Sequence, residues 1–213
     1  SGEISQVPKL AGLVFGEARP EQWALQTRKV DFFDIKADLE AVLAQVDTAD
    51  AFRFEAAEHP ALHPGQSARV LRRGEPIGWI GLLHPGVQKT LDVPAGVYLF
   101  EVDLAALKTG SIPKFRPLSK FPAIRRDFAL LVNRTLPYQA VLDCIKAAAP
   151  PLVKDIQLFD VYTGENIDSS LKSLALSLIL QESSHTLTDS EVEEASGVVL
   201  AALAERLSAK LRD

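Results

Sequence analysis

The sequence is poor in the residues that build disulfides, metal sites and membrane spans. Its 213 residues include one cysteine, four histidines and no methionine. Because Cys144 has no second cysteine to pair with, an intrachain disulfide is excluded and a reducing cytoplasm is expected. No apolar run approaches the roughly 18 to 20 residues that a spanning helix needs, so we expect no membrane contact. The lack of methionine, including an initiator, indicates a segment of a longer protein.

Groups suited to catalysis or metal binding are also scarce. His59 and His63 are spaced as two zinc ligands on a helix would be, but each precedes a proline, which disfavours a helix there. Cys144 lies beside apolar residues in a helical pattern, which is typical of a packed thiol rather than a nucleophile. No glycine-rich phosphate loop is present. We therefore predict no catalytic residue, no metal ligand and no cofactor held by this chain.

What the chain does contain is a cluster of cations in an otherwise acidic sequence. The formal net charge is −5, and yet residues 104–126 contain no Asp or Glu. The cations of this segment are Lys108, Lys114, Arg116, Lys120, Arg125 and Arg126. Phe115 and Phe121 lie between them, and such a mixture suits a phosphate backbone and its bases. A solvated linker between two domains has the same composition, and both interpretations stay open.

Hydrophobic periodicity on either side of this cluster predicts two α+β domains. In residues 1–114 we expect an antiparallel sheet, with strands at 10–15, 52–55, 67–71, 77–83 and 98–103 and helices at 34–46 and 84–91. In residues 115–213 we expect strands at 127–132, 153–162 and 171–181, a helix at 138–149, and a helix from 189 capped by Thr188 and Glu191. With a short last strand, this β-α-β-β-α-β order predicts a ferredoxin-like sheet with both helices on one side.

The other side of that sheet is the candidate binding surface. The alternation of residues 171–181 places four leucines towards the helices and four other residues on the opposite side, which we call the helix-free face. The leucines are Leu174, Leu176, Leu178 and Leu180, and the helix-free face receives Ser173, Ala175, Ser177 and Ile179. Small side chains predict a flat platform for RNA, although a merely solvated face has the same pattern. Phe159 and Tyr162 have opposite parity, so we expect only Tyr162 to be exposed.

Several motifs resemble one known family. Residues 120–129 (KFPAIRRDFA), 158–164 (LFDVYTG), 172–176 (KSLAL) and 211–213 (LRD) resemble the anticodon-binding module of bacterial phenylalanine–tRNA ligase beta chains. Residues 30–36 (VDFFDIK), 63–68 (HPGQSA) and 78–85 (GWIGLLHP) resemble the end of the synthetase-like core of the same chains. The motifs occur in the family's order and cover essentially the whole sequence.

The resemblance implies a division of labour. Residues 1–114 would be the end of a partial class II synthetase-like, non-catalytic domain, and residues 115–213 a ferredoxin-like anticodon-binding domain. The expected partners are tRNA-Phe and the alpha subunit, which in the family holds the aminoacylation site, uses ATP and magnesium, and assembles with the beta chain in an alpha2-beta2 enzyme. The family's editing domain would precede this segment. The expected location is the cytoplasm.

The residues expected to contact tRNA are Lys120, Arg125, Arg126, Tyr162, Lys172, Ser173 and Ser177. Alternatives remain for each kind of residue. An arginine could instead pair with Asp127 or Asp160, and the lysines could be simply solvated. A protein-interaction module that only docks the alpha subunit or another protein is the alternative function. A small free-standing enzyme on the same scaffold is a third, which the scarcity of catalytic groups disfavours.

Overall fold

A computed structural model describes residues 6–110, 112, 115 and 117–212, and in it the chain divides into two units, residues 1–114 and 115–213. Each unit has one antiparallel sheet and its own apolar core, which confirms the predicted α+β class. Among the described residues, no helix is long and apolar enough to cross a bilayer.

The first unit is a five-stranded sheet covered by a helix on one side. Its elements are β1 (Lys9–Val14), α1 (Phe32–Leu43), β2 (Phe52–Ala56), β3 (Leu62–Arg72), β4 (Glu75–Leu83), α2 (Pro85–Leu91), β5 (Tyr98–Asp103) and α3 (Leu104–Leu107). The strand order is β1-β5-β4-β3-β2, with every neighbour antiparallel. Ile35, Leu39 and Leu43 of α1 are buried at the spacing of one helix face, and they pack into the core of the unit.

The start of α1 is fixed by local side chains. Asp31 caps the helix, and its carboxylate accepts hydrogen bonds from the backbone of Phe33 and Asp34. Arg28 donates two 2.7 Å hydrogen bonds to Asp34 and lowers the pKa of that carboxyl to about 2. Because Asp31 supplies the cap, the helix begins at Phe32, two residues earlier than apolar spacing alone predicts.

A buried ion pair ties the β3–β4 turn to the rest of the first unit. Arg73 and Gly74 adopt positive φ angles of 51° and 88° in the turn. The Asp47 side chain is only 3% exposed and accepts hydrogen bonds of 2.8 Å from Arg72 and 2.7 Å from Arg73. Arg72 also donates to the carbonyls of Ala106 and Thr109. Arg72 therefore fixes α3 and the chain just after it, and both arginines hold the turn through Asp47.

The second unit has the predicted ferredoxin-like order. Its elements are β6 (Ile124–Asn133), α4 (Tyr138–Ala148), β7 (Val153–Tyr162), β8 (Leu171–Leu180), α5 (Asp189–Leu207) and β9 (Lys210–Leu211). The sheet order is β7-β8-β6-β9, and all pairs are antiparallel. The predicted capping box of α5 is confirmed: the Thr188 hydroxyl accepts from the Glu191 backbone, and the Glu191 carboxylate accepts from the Thr188 backbone.

The core of this unit lies between its sheet and its helices. All four leucines of β8 that were predicted to face the helices are at most 1% exposed. Cys144 of α4 is 7% exposed, and its thiol lies 3.6 Å from the Ala202 carbonyl oxygen of α5. This confirms the prediction of a packed thiol. One side of the sheet is thus filled by apolar contacts, and the opposite side is left to other residues.

Candidate nucleic-acid interface

Strand register defines the helix-free face of the second sheet, because cross-strand partners point to the same side. Its β8 residues are those already named. From β6 it receives Arg125, Asp127, Ala129 and Leu131, from β7 Asp155, Gln157, Asp160 and Tyr162, and from β9 Lys210. The face therefore has a central strand of small side chains flanked by two strands of larger and charged ones.

Arg125 and Phe159 form one bridge across this face. The Arg125 guanidinium lies 5.2 Å from the centre of the Phe159 ring, in the geometry of a cation–π contact. Arg125 Nε also donates a 2.8 Å hydrogen bond to Asp127 Oδ1, which was the alternative considered for this arginine. That bond places the pKa of the Asp127 carboxyl below its ordinary value. Both charged side chains remain about half exposed, so this ion pair is weak.

Arg212 and Tyr162 form a second bridge. The Arg212 guanidinium lies 5.3 Å from the centre of the Tyr162 ring. The Arg212 backbone donates a 2.8 Å hydrogen bond to the carbonyl of Ala129, which continues the pairing of β9 with β6. The Tyr162 hydroxyl donates to the Glu165 carbonyl at 3.1 Å and so anchors the ring at the end of β7. Arg212 was not among the predicted contacts. It lies two residues after Lys210, which is on the helix-free face, so Arg212 lies on that face as well.

The expectation that only one of Phe159 and Tyr162 is exposed is wrong. Phe159 is 53% exposed and Tyr162 is 37% exposed. A β-bulge causes this, because Leu158 pairs with Leu176 while Asp160 pairs with Ala175, which leaves an extra residue on β7. The bulge breaks the simple alternation, and two aromatic rings reach the solvent instead of one.

The predicted flat platform of small residues is also wrong in part. Ser173 and Ser177 lie on the helix-free face, but they are only 4% and 0% exposed. The register places Ser177 between Asp127 and Gln157, so longer side chains of both neighbouring strands flank it. Small side chains on a central strand become a covered floor when the flanking side chains are long.

The structure separates two of the expected tRNA contacts from the others. Lys172 pairs with Val132 and Arg126 pairs with Leu178, so both lie on the side of the sheet that faces the helices. The Lys172 amine donates a 2.6 Å hydrogen bond to the Leu136 carbonyl, and burial lowers its pKa. On the helix-free face the structure brings together Arg125, Tyr162, Ser173 and Ser177. Lys172 and Arg126 therefore do not share a surface with these four residues.

Lys120 lies before the first strand of the second unit, in a segment held by its neighbours. Ser119 donates a 2.8 Å hydrogen bond to the Glu182 carbonyl, and Gln181 donates a 2.7 Å bond to the Phe121 carbonyl. The Lys120 side chain between them is exposed. Of the remaining cations in the cluster, Lys108 is exposed in the first unit, whereas Lys114 and Arg116 lie outside the described residues.

Among the described residues, cations and acids on the helix-free face are equal in number. Its cations are Arg125, Lys210 and Arg212, and its acids are Asp127, Asp155 and Asp160. Across the described part of the chain, no three His, Cys, Asp or Glu residues are grouped as a metal site requires. Such a face favours ring stacking and hydrogen bonds to bases over attraction of phosphates alone.

Two family models match different parts of the chain. Residues 119–212 match the model of the ferredoxin-fold anticodon binding domain, and residues 1–104 match that of the phenylalanyl tRNA synthetase beta chain CLM domain. The fold and the face thus define an anticodon-binding type of domain, joined to a synthetase beta-chain domain.

Curated relatives are similar over nearly the whole sequence. The phenylalanine–tRNA ligase beta subunit of Nitrosococcus oceani is 50% identical over 212 residues, which are 99% of this chain and 27% of the relative. The corresponding subunits of Pseudomonas syringae pv. tomato and Coxiella burnetii are 48% and 46% identical, over 98% and 99% of this chain and 26% and 27% of theirs. The chain belongs to the phenylalanine–tRNA ligase beta subunit family. It spans about a quarter of the length of these relatives.

Proposed function

We propose that the helix-free face of the second unit binds the anticodon stem-loop of tRNA-Phe. The observation that carries this proposal is the pair of arginine–aromatic bridges on an uncovered sheet of the anticodon-binding family. Unpaired bases stack on aromatic rings and on guanidinium planes, and loop bases are the parts of a tRNA anticodon arm that are free to do so.

Named residues then take distinct parts in binding. Tyr162 offers a half-exposed ring for stacking, with Arg212 beside it, and Arg125 and Lys120 supply exposed cations for phosphates. Ser173 is nearly buried and lines the floor beneath Tyr162, its cross-strand partner. Only a few phosphates can be neutralised by so balanced a face, so the expected binding is weak and depends on salt.

The role within the whole enzyme is also a proposal, because the chain represents about a quarter of its relatives. Residues 1–114 would close the synthetase-like core of the beta chain, and residues 115–213 would hold the anticodon arm. The alpha subunit would perform the aminoacylation with ATP and magnesium in a cytoplasmic alpha2-beta2 assembly. The chain itself would supply positioning, by fixing one end of the tRNA while the other reaches the alpha subunit.

A second candidate function concerns the first unit. Several of its large apolar side chains are exposed, with Leu13 at 68%, Phe33 at 73% and Trp23 at 100%. Contiguous apolar patches mark surfaces that dock other proteins, whereas apolar side chains exposed singly are ordinary. The matching candidate is docking of the alpha subunit, and co-elution of the chain with the separate alpha subunit tests it.

The experiment for the RNA proposal is a titration of the 213-residue chain with a labelled hairpin of the tRNA-Phe anticodon arm. We expect saturable binding that weakens with added salt, and markedly weaker binding to a control hairpin with the same stem and a different loop. Equal affinity for both hairpins would reduce the proposal to nonspecific attraction. No binding to either, together with co-elution with the alpha subunit, would favour the docking function.

A further inference from the structure

The Arg125–Phe159 bridge has a feature that the bridge at Tyr162 lacks. The Phe159 ring is 53% exposed, although Arg125 lies against it. Ser177, on the strand between theirs, is 0% exposed and its hydroxyl makes no hydrogen bond of ordinary geometry. Buried hydroxyls nearly always have a partner, so an unpaired one on a candidate binding face indicates a place for a ligand atom.

Ser177 is aligned with hydrogen-bonding side chains on both sides. Its cross-strand partners are Asp127 on β6 and Gln157 on β7. The Gln157 amide donates to Asp155 Oδ2 at 2.7 Å, and its carbonyl oxygen is an additional acceptor in the row. A carboxylate, a hydroxyl and an amide oxygen in one row are groups that read the edges of bases.

We propose that Phe159, Asp127 and Ser177 form a second base-binding position on the helix-free face, separate from Tyr162 and covered by Arg125 in the free protein. A loop base stacks on Phe159 while Arg125 leaves Asp127 for a phosphate. The edge of the base then bonds to the Asp127 carboxylate and the Ser177 hydroxyl. Because a carboxylate only accepts, the position takes a base edge that presents an N–H donor, either an exocyclic amino group or a ring imino group. This inference rests on the proposed function, since its ligand belongs to the same RNA.

Opening this position requires little rearrangement. The side chains of Arg125 and Asp127 are 53% and 50% exposed. Ion pairs and cation–π contacts at such exposed sites are weak, so the guanidinium can turn away without disturbing the core. The residues that must move are surface side chains, and the strands beneath them stay in place.

The two positions are too far apart to hold the same base. Tyr162 pairs with Ser173, and Ser177 lies four residues further along β8. At about 3.3 Å per residue, the Ser177 row is roughly 13 Å from the Ser173 row, and Phe159, at the bulge between the rows of Leu176 and Ala175, is roughly 7 to 10 Å from that same Ser173 row. Bases stacked directly on each other are only about 3.4 Å apart. The positions therefore bind two different nucleotides that are not neighbours in one stack.

The test compares leucine variants of the two rings in the 213-residue chain. Phe159→Leu and Tyr162→Leu are titrated with the tRNA-Phe anticodon hairpin and with hairpins in which one loop nucleotide at a time is abasic. Val161→Ala is the matched control, because Val161 is 51% exposed on the same strand but pairs with Leu174 on the helix side. We expect Phe159→Leu to weaken binding about tenfold, the size of one lost stack, and the control to leave it unchanged.

The proposal is decided by whether the loss from each protein variant adds to the loss from each abasic nucleotide. Phe159→Leu should cause no further loss with one abasic hairpin, and Tyr162→Leu should cause no further loss with a different one. If both variants couple to the same nucleotide, or if Phe159→Leu binds like the unaltered chain while Tyr162→Leu is weak, the second position is refuted and the proposed function stands. If the unaltered chain binds no hairpin, both proposals are refuted.

Ser177→Ala provides an independent readout. It should weaken binding of the intact hairpin while Tm stays the same or rises, because an unpaired buried hydroxyl destabilises the folded chain. The opposite result, a lower Tm with unchanged binding, would assign the hydroxyl a structural partner and overturn its role in binding.

Discussion

The guanidinium of Arg212 lies 5.3 Å from the centre of the Tyr162 ring. Arg212 follows β9 at one edge of the second sheet, whereas Tyr162 ends β7 at the other edge. Their side chains meet over the sheet because Ala129 and Ala175, which pair with each other, are small. A short last strand therefore supplies a cation to a face whose ring comes from the opposite edge.

Gly164 gives this relationship a specific test. A Cβ atom at Gly164 would lie 2.3 Å from the Tyr162 hydroxyl oxygen, so an alanine must push the ring aside. We expect Gly164→Ala to weaken binding of the anticodon hairpin several-fold, with little change in Tm because only the end of an exposed side chain moves. Titration and thermal unfolding of the same samples measure both effects.

The matched control for that variant is Gly197→Ala on α5. A Cβ at Gly197 would meet nothing within 4 Å. Replacing a helical glycine by alanine stabilises by about 1 kcal/mol, so Tm should rise while hairpin binding stays unchanged. If both alanine variants bind the hairpin equally well, the position of the Tyr162 ring does not matter for binding.

Arg125 and Arg126 are adjacent, carry the same charge and lie on opposite sides of the sheet. Arg125→Ala should weaken hairpin binding and reduce the slope of log affinity against log salt by about 0.7, the share of one phosphate on a single strand. Arg126→Ala should change neither. Binding across a salt series measures the slope, and equal losses for both variants would mean that the cations act only through net charge.

Asp47 is the buried acceptor of two arginines in the first unit. Asp47→Asn leaves Arg72 buried with its charge uncompensated, so the free energy of unfolding should fall by about 3 to 5 kcal/mol. Arg73→Ala removes a partner that is 66% exposed and should cost less than about 1 kcal/mol. Both tryptophans, Trp23 and Trp79, lie in this unit, so denaturant unfolding followed by tryptophan fluorescence reports it. Equal losses would contradict the assigned burial.

Glu191 predicts an acid-dependent stability of α5. Its backbone hydrogen bond from Thr188, and then His185, lower the pKa of the carboxyl from 4.5 to about 2. When the pKa of a carboxyl is lower in the folded chain than in the unfolded chain, its ionised form stabilises the fold. That stabilisation is complete above the unfolded pKa and is lost as the pH falls through the folded pKa. The protection of α5 amides from hydrogen exchange should therefore decline between pH 4.5 and pH 2. In Glu191→Gln, which keeps the cap without the charge, this protection should decline less. Parallel curves of protection against pH for the variant and the unaltered chain would contradict the role of the Glu191 charge.

Local signals in the sequence were sufficient for much of the second unit. Thr188 and Glu191 define the start of α5 by themselves, because a capping box needs only residues three apart. The alternating leucines of β8 predict their own burial. The same alternation places Lys172 with Leu174 on the helix side, so the sequence already contained the signal that separates Lys172 from the helix-free face.

Features that depend on pairing between strands could not be predicted in this way. The bulge beside Phe159 exists only in the register of β7 with β8, and it exposes a ring that alternation would bury. The burial of Ser177 depends on the length of its neighbours Asp127 and Gln157. The place of Arg212 follows from the pairing of β9 with β6, which brings together residues about eighty positions apart.

The most direct test of RNA binding on the helix-free face is methyl NMR of the 213-residue chain during titration with the tRNA-Phe anticodon hairpin. Ala129 and Ala175 report that face, whereas Ala201 and Ala204 are exposed on α5. The account predicts saturating shifts for the methyl groups of Ala129 and Ala175 and none for those of Ala201 and Ala204. Shifts of the α5 alanines alone would contradict the account, and so would the absence of shifts from both pairs at saturation.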